Sequence, residues 1–430
     1  MRGSALLALA ALSLASACAT TSTTAPPPTP VTAPELKIVA EPVGPDALEA
    51  YDAETLLLRG LDLLEGGAWS DAADYFERLV REFPADARVT LAHYNRGVAY
   101  IHLGRGDEAV AAFDAYLAGL PPPTTVEGQK DLLDGRFKRG QALAVAKRYE
   151  EVVALFDEML GEELAPEDRI EALVDAGVGH YMLGLGPDGD RVHRPTAEYR
   201  FLEARRILRK ESEKRRMDHM QFFIAQASFY LAELAHLDFT EYKLVWPTGA
   251  EIAEAEAKAK ATSGSKAAST STATAEGSGM LEKLLGQKLE EKCQRLLRAQ
   301  YQYLRAIREN HPGWASAAGY NVGRMYEELH EEMTSLPAPD DLTDEQKELY
   351  TQMVRKKVLI LLEKAEKTWS QTAEMVVRTG ADGEWGERTK KSLELVRRRL
   401  VEENTALATL EAEAPTLPMA DSGKGKGGAS

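Results

Sequence analysis

The sequence predicts an all-α fold: a helical-repeat solenoid followed by a second, C-terminal segment of helical repeats. Three observations carry this. Through most of the 430 residues, apolar side chains fall at three- and four-residue spacing, with Ala, Leu and Glu abundant and Pro confined to the joints. The phrase Tyr-Asn-x-Gly-x-x-Tyr occurs at 94–100 and again at 320–326. Small and bulky residues also recur at fixed offsets from a glycine, as they do when one helix pair is used repeatedly.

From Gly97, Tyr100 lies three residues on, Ala109 twelve, Phe113 sixteen and Pro121 twenty-four. From Gly60 the same offsets reach Leu63, Ala72, Phe76 and Pro84. From Gly140 they reach Leu143, Val152 and Phe156, with Pro166 two residues late. From Gly177 they reach His180; the frame is then broken by LGPDGDRVHRP and resumes with Ala197 and Phe201. A glycine in the first helix lets the second approach, the small residue faces it, and the aromatic fills the gap. Pro then ends the pair. Such a pair cannot bury its apolar faces alone, so pairs stack.

HYNRGVAYIHLGRGDEAVAAF at 93–113 and AWSDAADYF at 68–76 resemble the tetratricopeptide repeat. The resemblance is closest over 47–160, looser over 167–247, and returns at 293–330. There Ala299, Tyr303, Ala306 and Pro312 close one unit and YNVGRMY opens the next. The landmark glycines stand 37 and 43 residues apart, longer than the family's period, with the surplus placed in turns such as PPPTTVEGQ. Residues 344–412 are helical in period but lack the small-residue code.

The resemblance implies that the first helix of each pair lines a concave groove. Its inward positions here are Glu54, Leu57, Leu61 and Leu64; then Leu91, Tyr94, Val98 and Ile101; then Asp134, Phe137, Gln141 and Ala144. Glu171, Val174, Val178 and Tyr181 follow, and the late unit adds Ala317, Tyr320, Arg324 and Glu327. An aromatic-studded wall with scattered acids suits a helical or extended peptide.

In chain order, MRGSALLALAALSLASAC reads as a signal peptide, 1–17, too short for a stable membrane span. Leu14-Ala15-Ser16-Ala17-Cys18 resembles the lipobox of bacterial lipoproteins, although its Leu sits one place early. That implies an acylated Cys18, and Ala19 in place of Asp implies outer-membrane sorting. A plain secreted chain cut at a similar site is the other reading. Residues 18–45, rich in Thr and Pro, read as a tether. The body divides into an N-terminal array, 46–247, a low-complexity linker, 248–280, and C-terminal helical repeats, 281–412. A disordered tail, 413–430, follows. Cys293, four and eight residues after Leu289 and Leu285, reads as a small residue on an apolar helix face.

Net charge is −16, which argues against general nucleic-acid binding. The sign reverses over 200–219, a solvated face or a docking stripe for an acidic partner. Gly184 to Gly189 fits GxGxxG but holds a Pro-Asp-Gly turn signal and follows a helix, so it reads as a loop rather than a nucleotide site. Glu327, His330 and Glu331 share a face without a second histidine four residues away, so a solvated face is expected, not a metal site. Trp369, Trp385 and the basic run Lys390 to Arg399 offer a second contact surface.

These readings converge on a non-enzymatic scaffold held at the periplasmic face of the outer membrane by lipid on Cys18. It would bind envelope proteins or peptides, with no nucleic acid, metal or small-molecule cofactor. It resembles the tetratricopeptide lipoproteins of outer-membrane protein assembly, pilus and gliding machines. A peptidoglycan-associated factor or envelope enzyme, and a self-associating structural element, are the alternatives.

Overall fold

The computed structural model describes residues 37–39, 49–185, 192–213, 217–262, 273–339, 342–381 and 383–413. The signal peptide, most of the tether, Cys18 and the tail lie outside them. A short antiparallel ribbon comes first, β1 (Lys37–Val39) and β2 (Glu49–Tyr51), pairing Lys37 with Tyr51 and Val39 with Glu49. Its first strand falls where a tether is expected; Ile38 and Val39 are β-branched and stand clear of the prolines that break up the Thr-rich run upstream. Among the described residues, everything regular thereafter is helical.

The chain divides into two compact units, 1–234 and 235–430. The first holds α1 (Ala53–Glu65), α2 (Trp69–Glu82), α3 (Val89–His102), α4 (Gly106–Gly119), α5 (Val126–Val145), α6 (Tyr149–Leu160), α7 (Pro166–Leu183) and α8 (His193–Ser212). Each of these helices packs on the next, and the first helices also meet, α1 on α3, α3 on α5 and α5 on α7. Stacked antiparallel pairs make such contacts.

The glycine code is physical. A Cβ on Gly60 would lie 2.5 Å from the Phe76 ring, on Gly97 2.7 Å from Phe113, and on Gly177 2.6 Å from Phe201. Gly140 meets Phe156 in the same way. All four rings are fully buried, as are the small residues one turn before them, Ala72, Ala109, Val152 and Ala197. The turn inside the first three pairs is also one device. Seven residues past the landmark, at Gly67, Gly104 and Lys147, φ is 75°, 70° and 60°. The next amide then reaches back five residues: Ala68 to the Leu63 carbonyl at 2.8 Å, Arg105 to Tyr100 and Arg148 to Leu143, both at 2.9 Å. Caps set the starts: Asp52 Oδ1 accepts from the Thr55 amide at 2.7 Å before α1, and Thr125 Oγ1 from Gly128 at 3.0 Å before α5.

The boundary between units falls inside α9 (Gln221–Glu241), upstream of the expected linker. Within the expected 248–280 linker lie α10 (Gly249–Thr262) and the start of α11 (Ala273–Arg308), its Ala, Glu and Lys favouring helix; residues 263–272 between them lie outside the described residues. α12 (Pro312–Ser335), α13 (Asp344–Thr379) and α14 (Glu384–Glu413) complete the second unit, α12 packing on α11, α13 and α14.

The second unit also uses the small-against-large code, contrary to the expectation for 344–412. Trp369, fully buried, fills the space over Gly323 and donates Nε1–H to the Tyr320 carbonyl at 2.9 Å; Ala365 sits buried one turn before it. In the same unit, Lys292 is wholly buried and tied down: Nζ donates to the Phe239 and Tyr242 carbonyls at 2.7 Å each and pairs with Glu332 at 2.7 Å. Cys293 is half-buried, its thiol pushed up by burial, as its apolar face predicts. No helix among the described residues is long and apolar enough to cross a membrane.

Candidate partner-binding groove

The side of the first unit formed by α1, α3, α5 and α7 is where the sequence places a groove, and the structure sorts its residues into three groups. Glu54, Leu91 and Asp134 are exposed. Leu61, Tyr94, Val98, Gln141 and Glu171 are half-buried and still meet solvent. Tyr94 stands edge-on to Phe113 and Tyr116, with ring centroids 5.7 and 5.1 Å away, so one part of a braced ring is presented. Leu57, Ile101, Phe137 and Tyr181 are at most 8% exposed and belong to the core instead. The reason is the stacking itself. Phe137 lies 5.8 Å from the Phe156 ring, and Tyr181 lies 5.0 Å from Tyr230 while its hydroxyl donates to Glu233 at 3.2 Å. Glu54 is engaged with Arg88 at 2.8 Å.

The late positions serve the second unit. Tyr320 lies between Trp369 and Trp385 (centroids 6.2 and 5.5 Å), Arg324 pairs with Glu328 at 2.9 Å, and Glu327 takes Arg399 at 2.9 Å. Trp369 and Trp385 are buried, so the second contact surface loses its aromatics. His330 is likewise not on a solvated face. It is 2% exposed, neither ring nitrogen has a partner among the described residues, and burial lowers its pKa to about 4. Over 200–219, Arg200 holds Asp157 at 2.7 Å, Arg206 holds Glu203 at 2.6 Å and Arg205 bonds Ser228, so much of that basic stretch is spent internally. The glycine motif begins where α7 ends, Gly184 being its C-cap; residues 186–189 of the motif lie outside the described residues.

A feature that the sequence reading missed sits on the wall of α5 and α7. Glu171 and Asp175, four apart on one face of α7, are like charges where helices usually avoid them. Protein atoms crowd around both carboxyls although part of each side chain remains open. That crowding raises Glu171 to about 8, with Asp175, Asp168 and Asp134 adding to the shift; Asp175 is raised to about 7, again by burial. Lys138 opposes both shifts, but its ammonium donates to Gln141 at 3.3 Å. Asp175 Oδ2 is sealed from solvent and accepts no hydrogen bond. The legible signal was the Glu-x-x-x-Asp spacing. Among the described residues, no group of three His, Cys, Asp or Glu side chains is arranged to hold a metal ion.

Residues 57–122 match the tetratricopeptide repeat family model. No curated protein matches the chain. Among solved structures, the apo form of RapI is similar at 10% identity and TM-score 0.39, covering 82% of this chain and 99% of its own. A tetratricopeptide repeat protein from Parabacteroides merdae is similar at 14% identity and TM-score 0.35, covering 80% and 98%. A Rap protein complexed with competence and sporulation factor is similar at 12% and 0.32, covering 82% and 76%. The match thus spans α1 to α4, the first two helix pairs, and the pairs that follow repeat the same glycine-to-ring contact.

Proposed function

We propose that the chain is a non-enzymatic scaffold that binds a protein or peptide partner along the inner wall of its first unit, and that lipid on Cys18 tethers it to the periplasmic face of the outer membrane. One observation carries the binding reading. Leu61, Leu91, Tyr94, Val98 and Gln141 stay accessible on successive first helices while the rings behind them are locked into the stack. A wall of braced aromatic and aliphatic side chains loses little entropy on binding. The tether reading rests on the sequence from Leu14 to Cys18 alone.

Two experiments test the two halves. Photo-crosslinking in the native cells from positions 91 and 94 should capture one and the same envelope protein, which a probe at Asp71, on an exposed turn of α2, should not reach. Equal capture from all three positions, or none, sinks the groove. Cys18→Ser should move the protein from the membrane pellet to the soluble fraction; unchanged sedimentation rules out the lipid.

A further inference from the structure

We infer that a second copy of this chain docks on the outer face of α11, the two helices lying antiparallel, so that the protein self-associates through its second unit. The inference goes beyond the inner wall and is independent of it.

α11 is held on one side. Its Lys292 and Tyr303 reach Phe239 and His236 of α9, and Lys288 pairs with Glu251 of α10 at 2.9 Å. Leu296, Ala299, Tyr303 and Ala306 are buried on that side. The opposite side carries Glu290, Gln294, Leu297, Tyr301, Leu304 and Arg308, and all six are exposed. Leu297 and Tyr301 keep 59% and 57% of their surface open, and Leu304 keeps 40%. Single apolar residues on a surface are ordinary, whereas three consecutive ones along a helix face mark a contact. The steps between the six are four, three, four, three and four residues, the alternation that keeps a seam turned towards a second helix. From 290 to 308 the seam is about 27 Å long.

The charges choose the occupant. The seam has an acid at its N-terminal end, a base at its C-terminal end and apolar side chains between. Glu290 accepts a bond from Gln294 of its own helix at 3.3 Å, and neither Glu290 nor Arg308 has an ion pair among the described residues. Two copies laid antiparallel about a two-fold axis level with Ala299 set Glu290 against Arg308 of the second copy. The same register sets Gln294 against Leu304 and Leu297 against Tyr301, each layer occurring twice. Both end charges then meet their opposites, and the two Leu–Tyr layers sit at the centre. A parallel pair would set Glu290 on Glu290 and Arg308 on Arg308. The like charges that do meet in the antiparallel pair are the two Arg298 side chains, at an exposed flank where salt screens them. Three apolar side chains per copy are fewer than a permanent dimer buries, so the dissociation constant is expected on the order of 10 μM.

The test is sedimentation equilibrium of the full chain carrying Cys18→Ser, which leaves no lipid to gather detergent, from about 1 to about 200 μM. The average mass should climb from that of one chain towards that of two. Leu297→Ser with Leu304→Ser changes exposed positions, so the melting midpoint should hold while the dissociation constant rises about tenfold or more. Arg308→Glu should raise it about fivefold, and adding Glu290→Arg should bring it back to within about twofold of the parent, because the two ends have been exchanged. A parallel pair would gain nothing from that exchange. Leu91→Ser, on the inner wall, should leave the dimer intact. A parent whose mass stays that of one chain throughout overturns the inference and leaves the stripe to a different protein. So does a dimer indifferent to Leu297 and Leu304, or one lost in Arg308→Glu and not repaired by Glu290→Arg. A dimer abolished by Leu91→Ser and kept by the α11 variants moves the contact to the wall, and the α11 face falls.

Discussion

Lys147 and Gly97 show how a single side chain is judged by the backbone and the ring it meets. In three successive pairs the residue seven past the landmark glycine turns left-handed, and only the third pair places a side chain there, Lys147 at φ 60°. An L-residue with a Cβ pays roughly 1 kcal/mol for that conformation. Lys147→Gly should therefore raise stability by about 0.5–1 kcal/mol, although glycine is the poorer helix former elsewhere. Urea unfolding followed by circular dichroism reads the sign; a loss would mean that the lysine contributes more through contacts than its strain costs. Gly97→Ala tests the opposite case. Helix propensity favours alanine by about 1 kcal/mol. The new methyl would meet the Phe113 ring at 2.7 Å, in a seam with no room to relax, and overpacking of that kind costs about 1–3 kcal/mol. A net loss of stability, seen as a lower melting midpoint, is expected. Packing beats propensity here.

At the scale of the helix, what the sequence disclosed depended on whether the signal was local. Period and caps are local, so the helices of the first unit, and Phe76, Phe113, Phe156 and Phe201 as their fillers, could be read directly. The role of α13 could not, because its filler is 46 residues past Gly323 rather than sixteen, α12 being longer and the connection wider. The pair Ala365 and Trp369 still carries the four-residue spacing of Ala72 and Phe76. Groove positions were legible only in part for a related reason. Whether an inward position such as Phe137 is presented or sealed depends on the ring across the seam, which no spacing within one helix reports. Trp369→Ala should accordingly be as damaging as loss of a phenylalanine filler in the first unit. It removes a fully buried ring and the bond from Nε1 to the Tyr320 carbonyl, for a cost of about 3–5 kcal/mol. Comparing its melting midpoint with that of Phe113→Ala decides whether α13 belongs to the repeat mechanically. A change of less than about 1 kcal/mol would make it an appended helix.

Over the whole molecule, acids outnumber bases, and the pair on α7 converts part of that excess into a dependence on pH. In the unfolded chain Glu171 and Asp175 lose their protons near pH 4. In the folded chain they keep them to about 8 and about 7. Between those limits the folded state binds more protons than the unfolded one, so the free energy of unfolding falls as pH rises. The penalty is absent below about pH 4 and complete above about pH 8. Glu171→Gln with Asp175→Asn carries neutral amides and is free of it. Parent and variant should melt together at pH 4, and the variant should melt higher at pH 8.5, by an amount corresponding to roughly 2–4 kcal/mol once the part of each side chain that stays open is allowed for. Parallel melting profiles from pH 4 to 8.5 would mean that the two carboxyls ionise as freely in the fold as out of it, and the charge excess on α7 would be ordinary surface.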